Sequence, residues 1–260
     1  TVALGNNIKT SGSLTSLAAG NDTTITNSRL ATAVGDRTSV TYPTSASAFV
    51  AGSSIIKADH SIVVGAKASV NESHSSFAGG ENASITGGYG NIAIGFTSTV
   101  SNTFGSSAIG YQSSVTGNSR GMALGTHAKV TDSDRGTALG ASASVTNSAS
   151  ASASGNNASV TDSSYAQADG AGAKVTSSKS ATAVGNDAIV TNSGSATASG
   201  YKAKITDSYQ AQAYGTGNSI ANSNQASAFG VNSSITSSAS GVAIGNNAKL
   251  DSAADGIAIG

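Results

Sequence analysis

The sequence predicts an all-β fold: a parallel β-solenoid, or β-roll, of about 17 fifteen-residue coils with two short strands in each coil. Three observations predict this class. Glycine, a branched aliphatic residue and alanine recur at a fixed period of fifteen. Apolar and polar residues alternate within the repeat, and the composition suits neither a compact core nor a disordered chain.

The composition excludes several classes of protein. Leu, Ile, Val and Phe make up only 45 of the 260 residues. This share lies below the roughly 20 % under which chains are often disordered, but disorder also requires a high net charge. Here 13 basic residues balance 13 acidic ones, which also argues against a nucleic-acid partner. The sequence has no cysteine, which excludes disulfides and thiolate metal sites. No apolar run reaches the roughly 18 residues of a membrane-spanning helix.

The fifteen-residue period is strict. Steps of fifteen from Gly5 to Gly260 cover 18 positions, of which 17 are glycine and one is Val50. Five residues after each glycine stands Val, Ile or Leu in 16 of 17 repeats, and thirteen residues after it stands alanine in 16 of 17. A short period without insertions is typical of a solenoid, in which one coil cannot bury its apolar face alone.

Alternation within the repeat predicts strands rather than helices. In residues 127–133, Ala128 and Val130 point to one side while Lys129 and Thr131 point to the other, and two is the period of a strand. Stacked coils pair each strand with its copies in parallel at about 4.8 Å, which predicts a rod roughly 80 Å long. The residues expected to fill the narrow interior include Val130, Ala138, Val145, Ala153, Val160 and Val175.

Glycine and Asn/Asp-Ser pairs mark the turns between the predicted strands. These residue types favour bends because glycine adopts a positive φ without strain and Asn, Asp and Ser side chains bond to nearby backbone. The periodic glycine is expected to provide a positive φ or to let two backbones approach closely.

The two outward faces of the coils differ in character. The first strand presents polar side chains, and the candidate ligand-binding residues are Lys129, Thr131, Lys174, Thr176, Lys204 and Thr206. The second strand often presents apolar ones, at Ile92, Ile94, Met122, Leu124, Leu139, Val242, Ile244, Ile257 and Ile259. A monomer would expose more apolar surface than soluble proteins tolerate, so we expect a homo-oligomer in which these stripes meet on a common axis. No deep pocket or aromatic cluster is visible in the sequence.

Several segments resemble a known repeat. "GNIAIGFTS" (90–98), "SSAIGYQS" (106–113), "GMALGTHA" (121–128) and "GVAIGNNA" (241–248) are similar to the NSVAIGxxS repeat of the YadA-type head of trimeric autotransporter adhesins. The resemblance covers essentially the whole chain, although the leading Asn-Ser is mostly lost and the repeat is slightly longer than the family's usual coil.

The resemblance implies a left-handed roll in which three chains lie side by side on the outer membrane of a Gram-negative bacterium. It also implies a virulence-related role, attachment to host matrix proteins such as collagen, fibronectin or laminin, or to abiotic surfaces. On this interpretation residues 1–260 form a single head domain, a fragment of a longer surface protein whose stalk and membrane anchor are not included.

The sequence carries no catalytic or metal-binding pattern, so we expect a protein that is not an enzyme and has no cofactor. "GNSRG" (117–121) matches the G-x-S-x-G nucleophile elbow, but it lies in an ordinary turn rather than between a strand and a helix. His60, His74 and His127 occupy different positions of the repeat and cannot form a metal ladder. Asp132 and Asp134 lack the glycine-rich context of calcium-binding solenoids.

Two other classes remain as alternatives. An ice-binding β-solenoid would present a flat Thr-x-Thr ladder, but Lys129, Lys174, Lys204 and Lys249 interrupt the polar strand. A phage-fibre-type or enzyme-bearing β-helix is the other alternative. A polysaccharide lyase would need clustered carboxylates, whereas Asp and Glu are scattered among the turns.

Overall fold

The computed structural model describes residues 1–117 and 119–260. Its regular elements are all strands, and the described residues contain no helix. The chain divides into two compact units, unit 1 from Thr1 to Ala128 and unit 2 from Lys129 to Gly260. Each unit is a parallel β-solenoid, and together they contain about 17 coils. The predicted all-β parallel solenoid is confirmed.

Unit 1 contains two series of strands that alternate along the chain. The odd-numbered series is β1 Val2–Leu4, β3 Leu17–Ala19, β5 Ala31–Val34, β7 Ala46–Phe49, β9 Ser61–Val64, β11 Phe77–Gly79, β13 Ile92–Ile94, β15 Ser107–Ile109 and β17 Met122–Leu124. The even-numbered series is β2 Lys9–Ser11, β4 Thr24–Thr26, β6 Ser39–Thr41, β8 Ser54–Ile56, β10 Ser69–His74, β12 Ser84–Tyr89, β14 Thr99–Phe104 and β16 Ser114–Thr116.

Unit 2 repeats the same alternation. Its even-numbered series is β18 Lys129–Thr131, β20 Ser144–Thr146, β22 Ser159–Thr161, β24 Lys174–Thr176, β26 Ile189–Thr191, β28 Lys204–Thr206, β30 Ser219–Ala221, β32 Ser234–Thr236 and β34 Lys249–Asp251. Its odd-numbered series is β19 Thr137–Leu139, β21 Ser152–Ser154, β23 Gln167–Asp169, β25 Thr182–Val184, β27 Thr197–Ser199, β29 Gln212–Thr216, β31 Ser227–Val231, β33 Val242–Asn246 and β35 Ile257–Ile259.

Within each unit a strand pairs in parallel with the next strand of its own series, at a register of fifteen residues. Val145 of β20 faces Val160 of β22, and Ala138 of β19 faces Ala153 of β21. The strict period of the sequence therefore becomes a strict register, in which each residue stands beside its counterpart in the adjacent coil. A slip of one residue would turn every buried side chain outward, so the alternation opposes it.

The interior of each unit is narrow and filled by small and branched aliphatic side chains. Val130, Val145, Val160 and Val175 on the even-numbered strands have an exposed fraction of 0 %. Ala138 and Ala153 on the odd-numbered strands are equally buried. Isoleucine is the largest side chain that is fully buried, which fits a narrow space between two strands that holds aliphatic side chains but no aromatic ring.

The periodic glycine is explained by both backbone conformation and space. Gly155 has φ of +125°, a region that residues with a side chain rarely adopt. A Cβ on Gly155 would lie 2.5 Å from the carbonyl oxygen of Gly170, the same glycine one coil later. A side chain in this column would therefore clash with the backbone of the next coil.

A column of buried serines also lines the interior of unit 2, which the sequence analysis did not predict. Its members stand three residues after the central valine or isoleucine of the even-numbered strands from β18 to β32: Ser133, Ser148, Ser163, Ser178, Ser193, Ser208, Ser223 and Ser238. Ser163 Oγ donates to the carbonyl of Thr161 at 2.7 Å and accepts the backbone N–H of Ser178 at 2.8 Å. Each hydroxyl thus joins its own turn to the turn of the next coil.

Candidate functional site

The outward side chains of the even-numbered strands form the polar face of each unit. In addition to Lys249, three exposed lysines lie on this face of unit 2: Lys129, Lys174 and Lys204. Each is followed two residues later by a half-buried threonine on the same side of the strand: Thr131, Thr176 and Thr206. These are the residues predicted as the candidate ligand-binding face, and here they lie at the surface.

Threonine forms an unbroken column on the polar face of unit 2. Strand pairing sets six threonines side by side, one per coil: Thr131, Thr146, Thr161, Thr176, Thr191 and Thr206. The Oγ1 atoms of Thr131, Thr176 and Thr206 are buried and have no hydrogen-bond partner among the described residues. All three stand beside a lysine of the same strand, so the face combines hydroxyl groups with cations.

The outward side chains of the odd-numbered strands form the apolar face. In unit 1, Ile92, Ile94, Met122 and Leu124 have exposed fractions of 37 to 47 %. In unit 2 the face includes Leu139, Val242, Ile244, Ile257 and Ile259, of which Val242 is half-buried and the others are exposed. Large side chains on consecutive coils form a contiguous apolar surface, which a soluble monomer rarely exposes.

The apolar face of unit 2 becomes polar in its middle coils. Gln167 and Asp169 are exposed on β23, and Ser152 and Ser154 on the adjacent β21 are half-buried. On the opposite side of β23, Val184 of β25 pairs with Asp169. The carboxylate therefore lies in a row of outward side chains that is largely apolar towards both ends of unit 2. This position separates two apolar stretches of the face.

Aromatic rings stack on either side of the odd-numbered strands of unit 1, at the ends of β12 and β14 and in the turns after β13 and β15, which corrects the expectation of no aromatic cluster. Tyr89 and Phe104 stack with ring centroids 5.7 Å apart and planes 19° apart. Phe96 and Tyr111 stack at 5.4 Å and 9°, and His127 meets Tyr111 edge-on at 5.5 Å. The partners are one coil apart, so the period that stacks the strands also stacks the rings.

A lysine and a tyrosine interact at a turn of unit 2. The Lys202 Nζ lies 4.9 Å from the centroid of the Tyr201 ring. A hydrogen bond with the Tyr201 side chain, followed by the charge interaction with that phenol, raises the pKa of Lys202 above its ordinary value. Both side chains are exposed, so the lysine stays fully charged at neutral pH.

The described residues contain no cluster that could hold a metal ion. Nowhere among them do three His, Asp or Glu side chains lie close enough together to hold a metal ion. His60, His74 and His127 are exposed, as are Asp132 and Asp134. In the 117–121 motif, Ser119 pairs with Phe104 in an isolated bridge, whereas Asn118 lies outside the described residues.

No helix with the length and hydropathy of a membrane span occurs in the described part of the chain. Comparison of the sequence with models of known protein families and with characterised proteins finds no match.

Proposed function

We propose that this chain is the head of a surface adhesin, a left-handed β-roll with two short strands per coil that assembles as a homotrimer. The head projects from the outer membrane of a Gram-negative bacterium and attaches it to host matrix proteins or to abiotic surfaces. One observation carries the proposal: each unit presents an apolar face on one series of strands and a polar face of hydroxyls and lysines on the other.

Self-association follows from the apolar face. Ile94 and Leu124 leave 38 % of their surface exposed, and Met122 leaves 47 %. Burial of apolar surface stabilises an association by about 25 cal/mol per Å², so covering some 400 Å² per copy contributes on the order of 10 kcal/mol before the entropy of association is subtracted. Copies of the chain can cover one another along the whole face because every copy carries the same stripe.

Attachment follows from the polar face, which assembly leaves accessible. Lys174 and Lys204 are two coils apart, or about 10 Å at the spacing of strands in a sheet. Each lysine with its neighbouring hydroxyl makes only a weak contact with a partner. Repetition along the coils and around the oligomer raises the effective concentration of contacts and turns weak binding into firm attachment. An extended partner such as a collagen triple helix, or a broad surface, fits this geometry better than a small molecule.

Two measurements test the proposal. Multi-angle light scattering of the purified chain is expected to give three times the mass of 25.0 kDa. A solid-phase screen against collagens, fibronectin, laminin and bare polystyrene is expected to show salt-sensitive binding to at least one of them. A monomer at micromolar concentration would contradict the assembly, and an oligomer that binds none of the targets would contradict the adhesive function.

A further inference from the structure

Four consecutive turns of unit 2, each leading from an even-numbered strand to the next odd-numbered strand, carry two exposed tyrosines. These turns lie side by side at the fifteen-residue period and comprise residues 162–165, 177–180, 192–195 and 207–210. Tyr165 lies in the first turn and Tyr209 in the fourth, with exposed fractions of 63 and 53 %. At about 4.8 Å per coil, the two residues mark the ends of a surface about 14 Å long, which we call the tyrosine patch.

Gly194, in the third turn of the patch, makes room for one of the two rings. Unlike Gly155 it does not have a positive φ, so the backbone does not require glycine at this position. A Cβ on Gly194 would lie 2.8 Å from Cε2 and 3.1 Å from Cδ2 of Tyr209. The missing side chain therefore leaves the space in which the edge of the Tyr209 ring packs against the coil.

Polar groups with unused hydrogen-bonding capacity lie between the two rings. The hydroxyls of Ser180 and Ser195 are exposed and bond to no described residue. The Lys179 Nζ lies over the Tyr165 ring, 6.0 Å from its centroid, and forms no ion pair with any described residue. The patch thus combines aromatic rings with exposed hydrogen-bond donors and acceptors.

Carboxylates and amides flank the patch. Asp162 and Asp207 are exposed at the start of the first and fourth turns, and Asn192 Nδ2 donates to Asp207 Oδ1 at 3.1 Å. Towards the odd-numbered strands, Gln225 Nε2 donates to Gln210 Oε1 at 3.3 Å. Two acidic groups accompany one lysine, so the charge of the patch disfavours an anionic partner.

We propose that the tyrosine patch binds a neutral, linear oligosaccharide whose sugar rings run along the stack of coils. The faces of a pyranose ring carry C–H groups, which stack on the electron-rich face of an aromatic ring. The hydroxyls around the rim of the sugar both donate and accept hydrogen bonds, which suits the mixture of hydroxyl, amide and carboxylate groups in the patch.

The form of the patch selects the type of chain. The four turns follow one another coil by coil, so the partner must be extended rather than branched or coiled. A chain of β-1,4-linked hexoses is extended and uncharged, and it presents its ring faces to a surface. The two tyrosines hold the ends of such a chain, and the polar side chains between them bind its hydroxyls.

Titration of the purified chain with cellohexaose, followed by saturation-transfer difference NMR, tests the proposal. Binding is expected, with the largest transfer to the ring C–H groups of the sugar. Tyr165→Ala and Tyr209→Ala should each raise the dissociation constant about three- to tenfold, because each removes one aromatic contact. Gly194→Ala should raise it as well, because the new Cβ displaces the Tyr209 ring while the backbone accepts alanine.

Tyr201→Ala is the matched control. Tyr201 has an exposed fraction of 50 % but lies in a turn that follows an odd-numbered strand, so its loss should leave the dissociation constant unchanged. A β-1,4-linked mannuronate hexamer, which is anionic, should bind more weakly than cellohexaose.

Three outcomes would overturn the proposal: no binding of cellohexaose, the same dissociation constant in the Tyr165, Tyr209 and Tyr201 variants, or tighter binding of the mannuronate hexamer. The tyrosine patch is separate from the polar face and needs no second copy of the chain. Each of these outcomes therefore leaves the adhesive function and the assembly standing, since those are tested by the matrix-protein screen and by light scattering.

Discussion

The backbone N–H of Ser163 donates to the Oγ of Ser148 at 2.8 Å, across the gap between two successive coils of unit 2. Ser148 Oγ in turn donates to the carbonyl of Thr146 at 2.7 Å. Both serines have an exposed fraction of 0 %, so water cannot replace either bond. In each turn the serine column therefore provides an acceptor for one buried N–H that the strand pairing leaves without a partner.

Removal of one hydroxyl from this column should destabilise the protein. In Ser163→Ala the buried N–H of Ser178 loses its acceptor, which costs about 1–3 kcal/mol. Ser164→Ala changes the neighbouring, half-buried position and should shift the free energy of unfolding by less than about 0.5 kcal/mol. Urea denaturation followed by circular dichroism measures both. Equal midpoints for the two variants would show that the column does not contribute to stability.

The narrow interior should reject a charge. Val130→Asp replaces a side chain of 0 % exposure with a carboxylate that the apolar interior cannot solvate. The free energy of unfolding is expected to fall by several kcal/mol. Lys129→Ala, one residue away on the polar face, should change the stability by less than about 0.5 kcal/mol. Thermal melts of both variants provide the measurement. Two variants with the same melting temperature would contradict the inward and outward assignment of β18.

Val50 should be a strained residue that glycine relieves. It is the one non-glycine of the column and has φ of +84°, where a β-branched side chain costs about 1–3 kcal/mol. Val50→Gly should therefore stabilise unit 1 by about 1 kcal/mol after the greater freedom of glycine in the unfolded chain is counted.

Val231 is a matched control for this change. Its exposed fraction is 44 %, close to the 46 % of Val50, but it lies in β31 without a positive φ. Val231→Gly should destabilise the protein by about 0.5–1 kcal/mol, because only the entropic cost of glycine remains. The two variants are expected to shift the denaturant midpoint in opposite directions relative to the unchanged protein. A shift in the same direction for both would refute the strain at Val50.

Asp169 should limit the strength of association along the apolar face of unit 2. When copies meet on this face, their Asp169 carboxylates come close together and repel one another. Asp169→Leu should remove that repulsion and add apolar area, which lowers the dissociation constant of the oligomer. Asp251→Leu, on the polar face of the same unit, is the control and should leave it unchanged. Sedimentation equilibrium measures both, and unchanged association of Asp169→Leu would place this residue outside the contact.

The lysines of the polar face should carry the salt-sensitive part of adhesion. Lys174→Ala/Lys204→Ala should weaken binding to the target found in the screen and make it less dependent on ionic strength, because exposed charge interactions are screened by salt. Lys179→Ala/Lys202→Ala removes two exposed lysines from turns of the same unit and should have a smaller effect. Surface plasmon resonance at two salt concentrations gives the comparison. Equal effects would mean that total charge, rather than the polar face, sets the binding.

The sequence by itself determined the fold class and the register. The fifteen-residue period predicted parallel coils, and alternation predicted which side chains face inward, such as Val145 and Ala153, both fully buried. These features are local to one repeat: a period of two reports the side of a strand on which a residue lies, and the repeat reports which residues stand beside one another. The difference between the polar and apolar faces followed from the same two patterns.

The tertiary structure alone decided what happens at the turns. Alternation ends where the strand ends, so it did not reveal that Ser163 turns inward while Ser164 stays half-exposed. That choice depends on residues with positive φ on either side, such as Asp162 at +50° and Tyr165 at +60°, and on the N–H of the next coil that needs an acceptor. The stacking of Phe96 on Tyr111 was decided in the same way: the repeat places the two residues in adjacent coils, but only the folded turns show that their rings pack face to face.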